Sequence, residues 1–278
     1  MGSLLWRAGS HSLECGIRTL VMGILNVTPD SFSDGGRYFD PEAAVRRGVE
    51  MAAEGADIVD VGGESTRPGS DPVPPDEERD RIVPVIKRLA TEVDVPLSVD
   101  TRRAEVAEAA LSVGASIVND VTAGRDPQMF AVVREAEAGM VLMHMVGDPK
   151  TMQTNPRYDD VVAEVRHFLA GRLDAAIEAG IDRDRLCVDP GIGFGKTLDH
   201  NLALMRHVSA FAELGRPVLV GPSRKSFIAH LLGDHADRVA ATAGAVAWLA
   251  SSGAHIVRVH DVRTMVHVVR VVDAIKAS

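Results

Sequence analysis

Cysteine is scarce in this sequence, with only Cys15 and Cys187 among 278 residues. The two lie far apart and show neither a CxxC pair nor the ligand spacing of a zinc site. This usage argues against a disulfide-rich scaffold and suits a reducing compartment. We therefore expect two ordinary thiols and a cytoplasmic protein, whose hydrophobic fraction of 46% allows a sizeable core.

Long apolar runs are also missing. No stretch reaches about 18 consecutive apolar residues, the length that reads as a membrane-spanning helix. The first 20 residues carry polar interruptions throughout and lack the continuous apolar segment of a signal peptide. We expect neither a signal peptide nor a membrane anchor. Residues 1–18 are interpreted as an N-terminal extension that packs on, or frays from, one main domain spanning 19–278.

Positive charge is in deficit, because 30 lysines and arginines face 39 aspartates and glutamates and leave a net charge of -9. This balance disfavours general binding of nucleic acid or of an anionic membrane. Any anionic ligand must instead be held locally by a few arginines and lysines. The ten histidines show no HExxH or comparable spacing, which argues against a zinc hydrolase.

A nucleotide-binding loop is imitated at residues 190–197, PGIGFGKT, but its pattern fails. The phosphate-loop pattern needs glycine where Pro190 stands, and GxGxxG needs glycine where Lys196 stands. We interpret the segment as a loop after Asp189 that brings Phe194 and backbone amides towards a site.

The sequence does contain eight alternations of a short apolar run with a helical pattern. The runs are typical of parallel strands buried on both faces, and they lie at 21–26, 57–61, 97–99, 116–118, 140–144, 185–189, 217–221 and 255–259. The clearest helical patterns lie at 41–56, 77–92, 103–113, 128–138, 161–179 and 265–277. Eight such units without a composition break favour one (β/α)8 TIM barrel over a doubly wound open sheet. Closure of the sheet is left open by the sequence.

Polar or charged residues stand at the end of every predicted strand. In a (β/α)8 barrel the catalytic groups lie at the carboxyl ends of the strands, so these residues predict one site on one rim. They are Asn26, Thr66, Arg67, Asp100, Asn119, His144, Asp189, Ser223, Arg224, Lys225, Arg258 and His260.

Two kinds of chemistry are separable among these strand ends. Asp100, Asn119 and Asp189 can accept from and donate to the edge of a nitrogen-rich heterocycle, because a buried carboxylate must be paired to offset its desolvation. A cationic set is suited to an anion: Arg67, Lys225, Arg258 and His260. Arg258 and His260 are two residues apart and are expected on the same face of a strand. The sequence therefore predicts a heterocycle deep in the barrel and a phosphate-like group near its mouth.

Eight motifs follow one another along the chain: NVTPDSFSDGG, DVGGESTRPGS, VDTRRAEVA, IVNDVTAG, MHMVGDPKTMQ, DPGIGFGKT, SRKSF and RVHDV. Taken together and in this order, they resemble the dihydropteroate synthase family of pterin-binding barrels. The resemblance extends from about Thr19 to the C-terminus. It implies that 6-hydroxymethyl-7,8-dihydropterin pyrophosphate and p-aminobenzoate react by an SN1-like path to 7,8-dihydropteroate and pyrophosphate in folate biosynthesis. It also implies Mg2+, a homodimer and a p-aminobenzoate pocket that sulfonamides target.

The resemblance assigns residues to each part of the site. Pterin binding is implied for Thr66, Asp100, Asn119, Met143, Asp189, Phe194, Lys225 and Arg258. The p-aminobenzoate pocket and its loops are implied to use Phe32, Asp34, Arg67, Pro68 and Ser223. Pyrophosphate binding is implied for Asn26, Arg67, Arg258 and His260, with Mg2+ at Asn26. The expected catalytic residues are Asp189, Lys225, Arg258 and His260.

Two other functions stay open at this point. A non-catalytic pterin-binding paralogue would keep the ligand contacts without turnover, and a folate-dependent methyltransferase would share pterin recognition on a similar barrel. The paralogue is disfavoured because the chain keeps the complete set of Asn26, Arg67, Asp189, Lys225, Arg258 and His260. A methyltransferase would give no reason for the SRK and RVH motifs to occur together on the pyrophosphate side of the site. Release of pyrophosphate would separate both alternatives from the synthase.

Overall fold

The strands that the sequence predicts are present in the computed structural model, which describes residues 3–28, 40–65, 70–148 and 150–278. Two short strands come first, β1 (Leu4–Ala8) and β2 (His11–Cys15). The others are β3 (Leu20–Asn26), β4 (Ile58–Gly62), β5 (Leu97–Asp100), β6 (Ile117–Asp120), β7 (Gly139–Met143), β8 (Leu186–Asp189), β9 (Leu219–Val220) and β10 (Ile256–Val259). The predicted positions of the eight apolar runs are thereby confirmed.

The eight later strands form a barrel. Their order in the sheet is β8-β7-β6-β5-β4-β3-β10-β9, and all of these pairs are parallel. The two edges also meet, because Val188 in β8 forms a parallel bridge with Val218 and donates its backbone N–H to Pro217 O at 3.0 Å. The (β/α)8 barrel is therefore confirmed, and the open-sheet alternative is wrong.

Helices surround the barrel and connect successive strands. They are α1 (Pro41–Ala53), α2 (Pro75–Glu92), α3 (Ala104–Ser112), α4 (Met129–Glu135), α5 (Val161–Glu178), α6 (Leu198–Arg206), α7 (Ser209–Ala212), α8 (Ser226–Leu232), α9 (Arg238–Ser251) and α10 (Val262–Ala277). Asp40 caps α1 as predicted, since its carboxylate accepts from Glu42 N at 2.9 Å. None of the described helices is long and apolar enough to cross a bilayer.

The N-terminal segment forms an antiparallel hairpin of β1 and β2 that the sequence analysis did not predict. Trp6 is fully buried, and its Nε1 donates to Arg185 O at 2.9 Å. It packs with residues near the starts of the barrel strands, among them Leu20, Ile58 and Ile256. Of the two possibilities left open, packing and fraying, the structure shows packing, and the hairpin covers the amino-terminal end of the barrel. The domain boundary at residue 18 stays a prediction.

Within the described part of the chain, the buried apolar residues form three clusters. The largest lies between the barrel and its helices, and the second lies under the hairpin. Cys15 and Cys187 belong to the second cluster as buried free thiols, and burial raises the pKa of Cys15 to about 12. A third, small cluster lies at the opposite end of the barrel, beside the polar strand ends, and consists of Val121, Met143, Met145, Met152 and Phe194.

Candidate active site

Arg258 lies at the centre of the site, inside the barrel on β10. Its Nε donates to Asp60 Oδ2 at 2.6 Å, and its Nη2 donates to Asp100 Oδ2 at 2.5 Å. Asp60 Oδ2 also accepts from Asn119 Nδ2 at 3.0 Å. Asp60, Asp100 and Asn119 come from β4, β5 and β6, which are successive neighbours in the sheet. The interior of the barrel therefore brings together charges that are far apart in the sequence.

Asp100 retains an acceptor for a ligand. Its Oδ1 is buried and has no hydrogen-bond partner within the described part of the chain. Burial raises the pKa of Asp100 to about 7, Arg258 opposes this shift, and the negative charge of Asp60 adds to it. Because an unpaired buried acceptor is costly, the geometry suits a ligand that supplies N–H donors at this point.

Asp189 is a second buried carboxylate, at the end of β8, and is 5% exposed. Its Oδ1 accepts from Gly191 N at 2.7 Å. Burial raises the pKa of Asp189 to about 6, although the Gly191 amide and the nearby cation of Lys225 act in the opposite direction. Asp100 and Asp189 are therefore two buried carboxyls with raised pKa values, and both feel the charges of Lys225 and Arg258. Perturbed carboxyls of this kind are typical of functional sites.

The loop after β8, residues 190–197, makes close approaches to the site. Gly193 has φ +83°, and a Cβ there would lie 2.9 Å from Lys225 Cδ. Only glycine therefore brings the backbone this near to Lys225 without strain. Lys225 Nζ lies 3.8 Å from the ring centroid of Phe194, within the range of a cation–π contact.

Lys196 anchors this loop. It is 3% exposed, and its ammonium group lies 3.0 Å from His144 Nδ1, 2.9 Å from Phe194 O and 3.3 Å from His144 O. Burial lowers the pKa of Lys196 to about 7 and that of His144 to about 3, so His144 is neutral and can accept. Lys196, which gave the sequence its likeness to a phosphate loop, thus bonds to Phe194 in its own loop and to His144 just after β7.

Apolar side chains pack beside these polar groups at the carboxyl end of the barrel. Met143 and Phe194 are 3% and 7% exposed and pack in the small cluster with Val121 and Met145. The polar edge formed by Asp100 and the other strand-end groups lies beside it. A flat heterocycle needs both features, apolar contact for its faces and hydrogen bonds for its edge.

The mouth of the barrel carries a second polar group. Ser223 Oγ lies 2.9 Å from His260 Nδ1 and accepts from His260 N at 3.3 Å. Arg224, exposed in the same turn, pairs with Asp261 at 2.7 Å. The sequence predicts Arg258 and His260 on the same face of one strand. In the structure β10 ends at Val259, so His260 lies just beyond the strand.

Known proteins match this chain along almost its whole length. The sequence profile of the pterin binding enzyme family matches residues 22–260. The dihydropteroate synthase of Mycobacterium leprae is 50% identical over 264 residues, covering 91% of this chain and 92% of the relative. That of Synechocystis is 44% identical over 270 residues, covering 96% and 93%. The chain belongs to the dihydropteroate synthase family.

Solved structures of the dihydropteroate synthase family superpose closely on this chain. The Xanthomonas albilineans synthase with 4-aminobenzoic acid has a TM-score of 0.93 at 47% identity and covers 100% of both chains. The Yersinia pestis synthase in complex with a sulfonamide drug has a TM-score of 0.92 at 40% identity, with 99% of each chain covered. The family resemblance drawn from the motifs is confirmed, and the chain is a transferase of folate biosynthesis.

The structure brings together most of the described residues that the family resemblance assigned to the site. Asn26 ends β3 beside Gly62 of β4 and is half-buried. Five assigned residues lie outside the described part of the chain, so their placement stays a prediction: Phe32, Asp34, Thr66, Arg67 and Pro68.

Two buried charges beside these residues were not identified from the sequence. Asp60 stands inside the apolar run DIVDV, and a carboxylate within a strand that is otherwise buried and apolar was the available signal. Lys196 was weighed only as part of a failed phosphate-loop pattern. Its signal was weaker, because a lysine in a glycine-rich loop is ordinarily exposed.

Proposed function

We propose that this chain joins 6-hydroxymethyl-7,8-dihydropterin pyrophosphate to p-aminobenzoate and forms 7,8-dihydropteroate and pyrophosphate. The observation that carries the proposal is the buried carboxylate pair, Asp100 and Asp189, beside an apolar wall at the carboxyl end of the barrel. The related Xanthomonas albilineans synthase has been solved in complex with 7,8-dihydropteroate, at 45% identity and a TM-score of 0.89.

The pterin ring is proposed to lie deep in the barrel. Asp100 Oδ1 is buried without a partner in the described chain and is suited to accept from the ring N–H groups. Asp189 and Asn119 supply further edge contacts, and the side chains of Met143 and Phe194 pack near the ring. The remaining members of the proposed pterin site are Thr66, Lys225 and Arg258.

The reaction needs electrostatic stabilisation more than an activated nucleophile. The bond between the methylene carbon and the pyrophosphate oxygen breaks, and its electron pair leaves with the pyrophosphate. The positive charge on the methylene is delocalised into the dihydropterin ring, where the carboxylates of Asp100 and Asp189 offset it. The amine of p-aminobenzoate then attacks the methylene and releases a proton to solvent. No Ser-His-Asp triad is required for this sequence of steps.

The leaving pyrophosphate is proposed to lie at the mouth of the barrel, against Asn26, Arg67, Arg258 and His260. Arg258 Nη1 donates to none of the described residues, so it has a donor left for an anion. Together with Asp189 and Lys225, Arg258 and His260 form the proposed catalytic set. Loop closure around the site would exclude water that could capture the cation.

Mg2+ is the proposed cofactor, with Asn26 as its protein ligand. Among the described residues no group of three or more His, Cys, Asp or Glu side chains could hold a metal ion. One amide oxygen fits an ion held mainly by substrate phosphates and water, which is how Mg2+ commonly binds. When bound, Mg2+ would screen the charge of the leaving pyrophosphate.

The p-aminobenzoate pocket is proposed at Phe32, Asp34, Arg67, Pro68 and Ser223. Of these, Ser223 is buried and in contact with His260. Because the Yersinia pestis relative is solved with a sulfonamide drug, we propose that sulfonamides compete with p-aminobenzoate here.

A homodimer and a cytoplasmic location complete the proposal. Two apolar side chains on one face of α10, Val271 and Ile275, are 61% and 69% exposed, and Trp248 on the adjacent α9 is 52% exposed. Apolar side chains grouped on outer helices are suited to contact a second copy of the chain. The buried free thiols Cys15 and Cys187 support a reducing compartment. No nucleic acid or membrane partner is proposed.

The test is the complete reaction with purified protein, Mg2+ and dihydropterin pyrophosphate, with and without p-aminobenzoate. Dihydropteroate measured by chromatography and released pyrophosphate should appear in equal amounts and only with both substrates. Lys225→Ala and Asp189→Ala should lose most of this turnover. Tight pterin binding without product would instead support the non-catalytic paralogue, and no pterin binding would overturn the site.

A further inference from the structure

Asp60 is a carboxylate in the interior of the barrel that the proposed reaction does not use. It stands in the middle of β4 and is fully buried. In the strand register Asp60 pairs with Ser98, whereas Asp100 pairs with Gly62, so Asp60 lies one side-chain layer deeper than Asp100. Gly62 is level with Asp100 and adds no side chain beside its carboxylate, where a Cβ would lie 3.6 Å from Asp100 Oδ2.

One oxygen of Asp60 joins two groups of the proposed pterin site. Its Oδ2 accepts from Arg258 Nε at 2.6 Å and from Asn119 Nδ2 at 3.0 Å. β10 and β6 lie on opposite sides of β4, each separated from it by one strand. Asp60 therefore fixes the guanidinium plane from below and holds the Asn119 amide in one orientation.

The hydrogen bond between Asp60 and Arg258 also determines which nitrogen Arg258 donates to Asp100. Arg258 gives only Nη2 to Asp100 Oδ2, because Nε is taken by Asp60. A guanidinium without this second partner tends to bind both oxygens of one carboxylate. Removal of the Asp60 charge would thus let Arg258 turn towards Asp100 and occupy Oδ1, the oxygen that is otherwise available to the pterin.

We infer that Asp60 is a positioning residue for pterin recognition, which holds Arg258 and Asn119 so that Asp100 keeps one oxygen for the ligand. The inference rests on the proposed function for the identity of the ligand. Asp60 acts through its neighbours, so its loss should affect the pterin substrate and spare p-aminobenzoate.

Asp60→Asn tests this inference by keeping the shape of the side chain and removing its charge. The KM for dihydropterin pyrophosphate should rise about 10- to 100-fold, as expected for hydrogen bonds to charged groups, with the KM for p-aminobenzoate unchanged. Asp57→Asn is the matched control at the start of the same segment, where Asp57 accepts from Val21 N at 2.8 Å and Arg18 Nη1 at 2.9 Å. It should leave both KM values unchanged.

A merely structural role for Asp60 would lower the amount of active protein and hence kcat, with neither KM altered. That result, or a pterin KM within about twofold of the unmodified protein, would overturn the inference. If Asp60→Asn does not fold, Asp60→Glu keeps the charge and displaces the carboxylate, and it should raise the same KM. Calorimetric titration with dihydropterin pyrophosphate measures affinity without turnover, so failure of the synthase reaction remains distinguishable from failure of the inference.

Discussion

Asp100 and Asp189 are buried, and burial disfavours the charged form of their carboxyl groups. Burial raises their pKa values to about 7 and about 6. An apolar pair of similar volume would stabilise the barrel at least as well, because the desolvation of a buried charge is costly. The ionised groups are nevertheless suited to accept from a pterin edge and to offset a cation. Recognition and catalysis, rather than stability, explain their presence.

Asp189→Asn should therefore separate activity from stability. The amide oxygen can still accept from Gly191 N, but the charge is absent, so kcat/KM should fall about 100-fold or more. Because the folded pKa is raised, the contribution of Asp189 to stability is complete below about pH 4 and is lost as the pH rises through about 6. The variant should gain stability relative to the unmodified protein over this range, by at most about 3 kcal/mol.

Urea unfolding of both proteins at pH 4.5, 6 and 8 measures this difference. A difference in the free energy of unfolding that stays constant with pH would contradict the assignment of a raised pKa to Asp189. Retention of full turnover by the folded variant would contradict its proposed role in the reaction.

At the scale of elements, the loop at residues 190–197 depends on one internal ammonium group. Lys196→Met should leave Phe194 O and His144 O without a donor and so cost about 1–3 kcal/mol of unfolding free energy. Phe194 should lose its position against Lys225, and the KM for dihydropterin pyrophosphate should rise several-fold. Thermal unfolding and steady-state kinetics measure the two effects.

Lys150→Met is the control for this loop prediction. Lys150 is 55% exposed and pairs with Asp71 at 2.7 Å on the surface, so its loss should leave the free energy of unfolding nearly unchanged. An unchanged KM for dihydropterin pyrophosphate in Lys196→Met would contradict the prediction that Lys196 holds the loop in its binding position.

The hairpin of β1 and β2 should contribute to stability and not to catalysis. Trp6→Ala removes a fully buried side chain and the hydrogen bond to Arg185 O, and should cost about 3–5 kcal/mol. Leu5→Ala, the adjacent residue on the outer face and 44% exposed, should change stability by about 0.5 kcal/mol or less. Chemical denaturation measures both.

The same pair of variants tests the separation of the two barrel ends. Per folded molecule, kcat/KM should be the same in Trp6→Ala, Leu5→Ala and the unmodified protein. A fall in kcat/KM in Trp6→Ala would show that the hairpin end is coupled to the site.

How well each helix or strand could be predicted from the sequence depended on its length and on its hydrophobic pattern. The barrel strands agreed with the predicted runs within one or two residues, because parallel strands covered by helices are continuously apolar. Helix ends differed more: the segment predicted at 41–56 ends at Ala53. The hairpin was missed because a five-residue strand carries little signal unless its turn is recognised, and because Leu5 interrupts the alternation of apolar and polar residues in β1.

At the scale of the whole molecule, a second copy of the chain is proposed to cover the outer helices. The double variant Val271→Lys with Ile275→Lys places charges on that face and should shift the protein from dimer to monomer in light scattering coupled to size exclusion. Ile17→Lys, at an apolar side chain that is 67% exposed near the hairpin, should leave the mass unchanged. A monomeric unmodified protein would contradict the proposal.

The sequence by itself determined the order of eight strand and helix units, the family, and the set of strand ends that face one rim. These follow from local patterns, since side-chain alternation and parallel topology place the residue at each strand's carboxyl end at the site. Only the tertiary structure decided the closure of the sheet and the pairing of Arg258 with Asp60, 198 residues away. Contacts across the interior of a barrel depend on its curvature and on the relative depth of the strands, and neither is encoded in a local pattern.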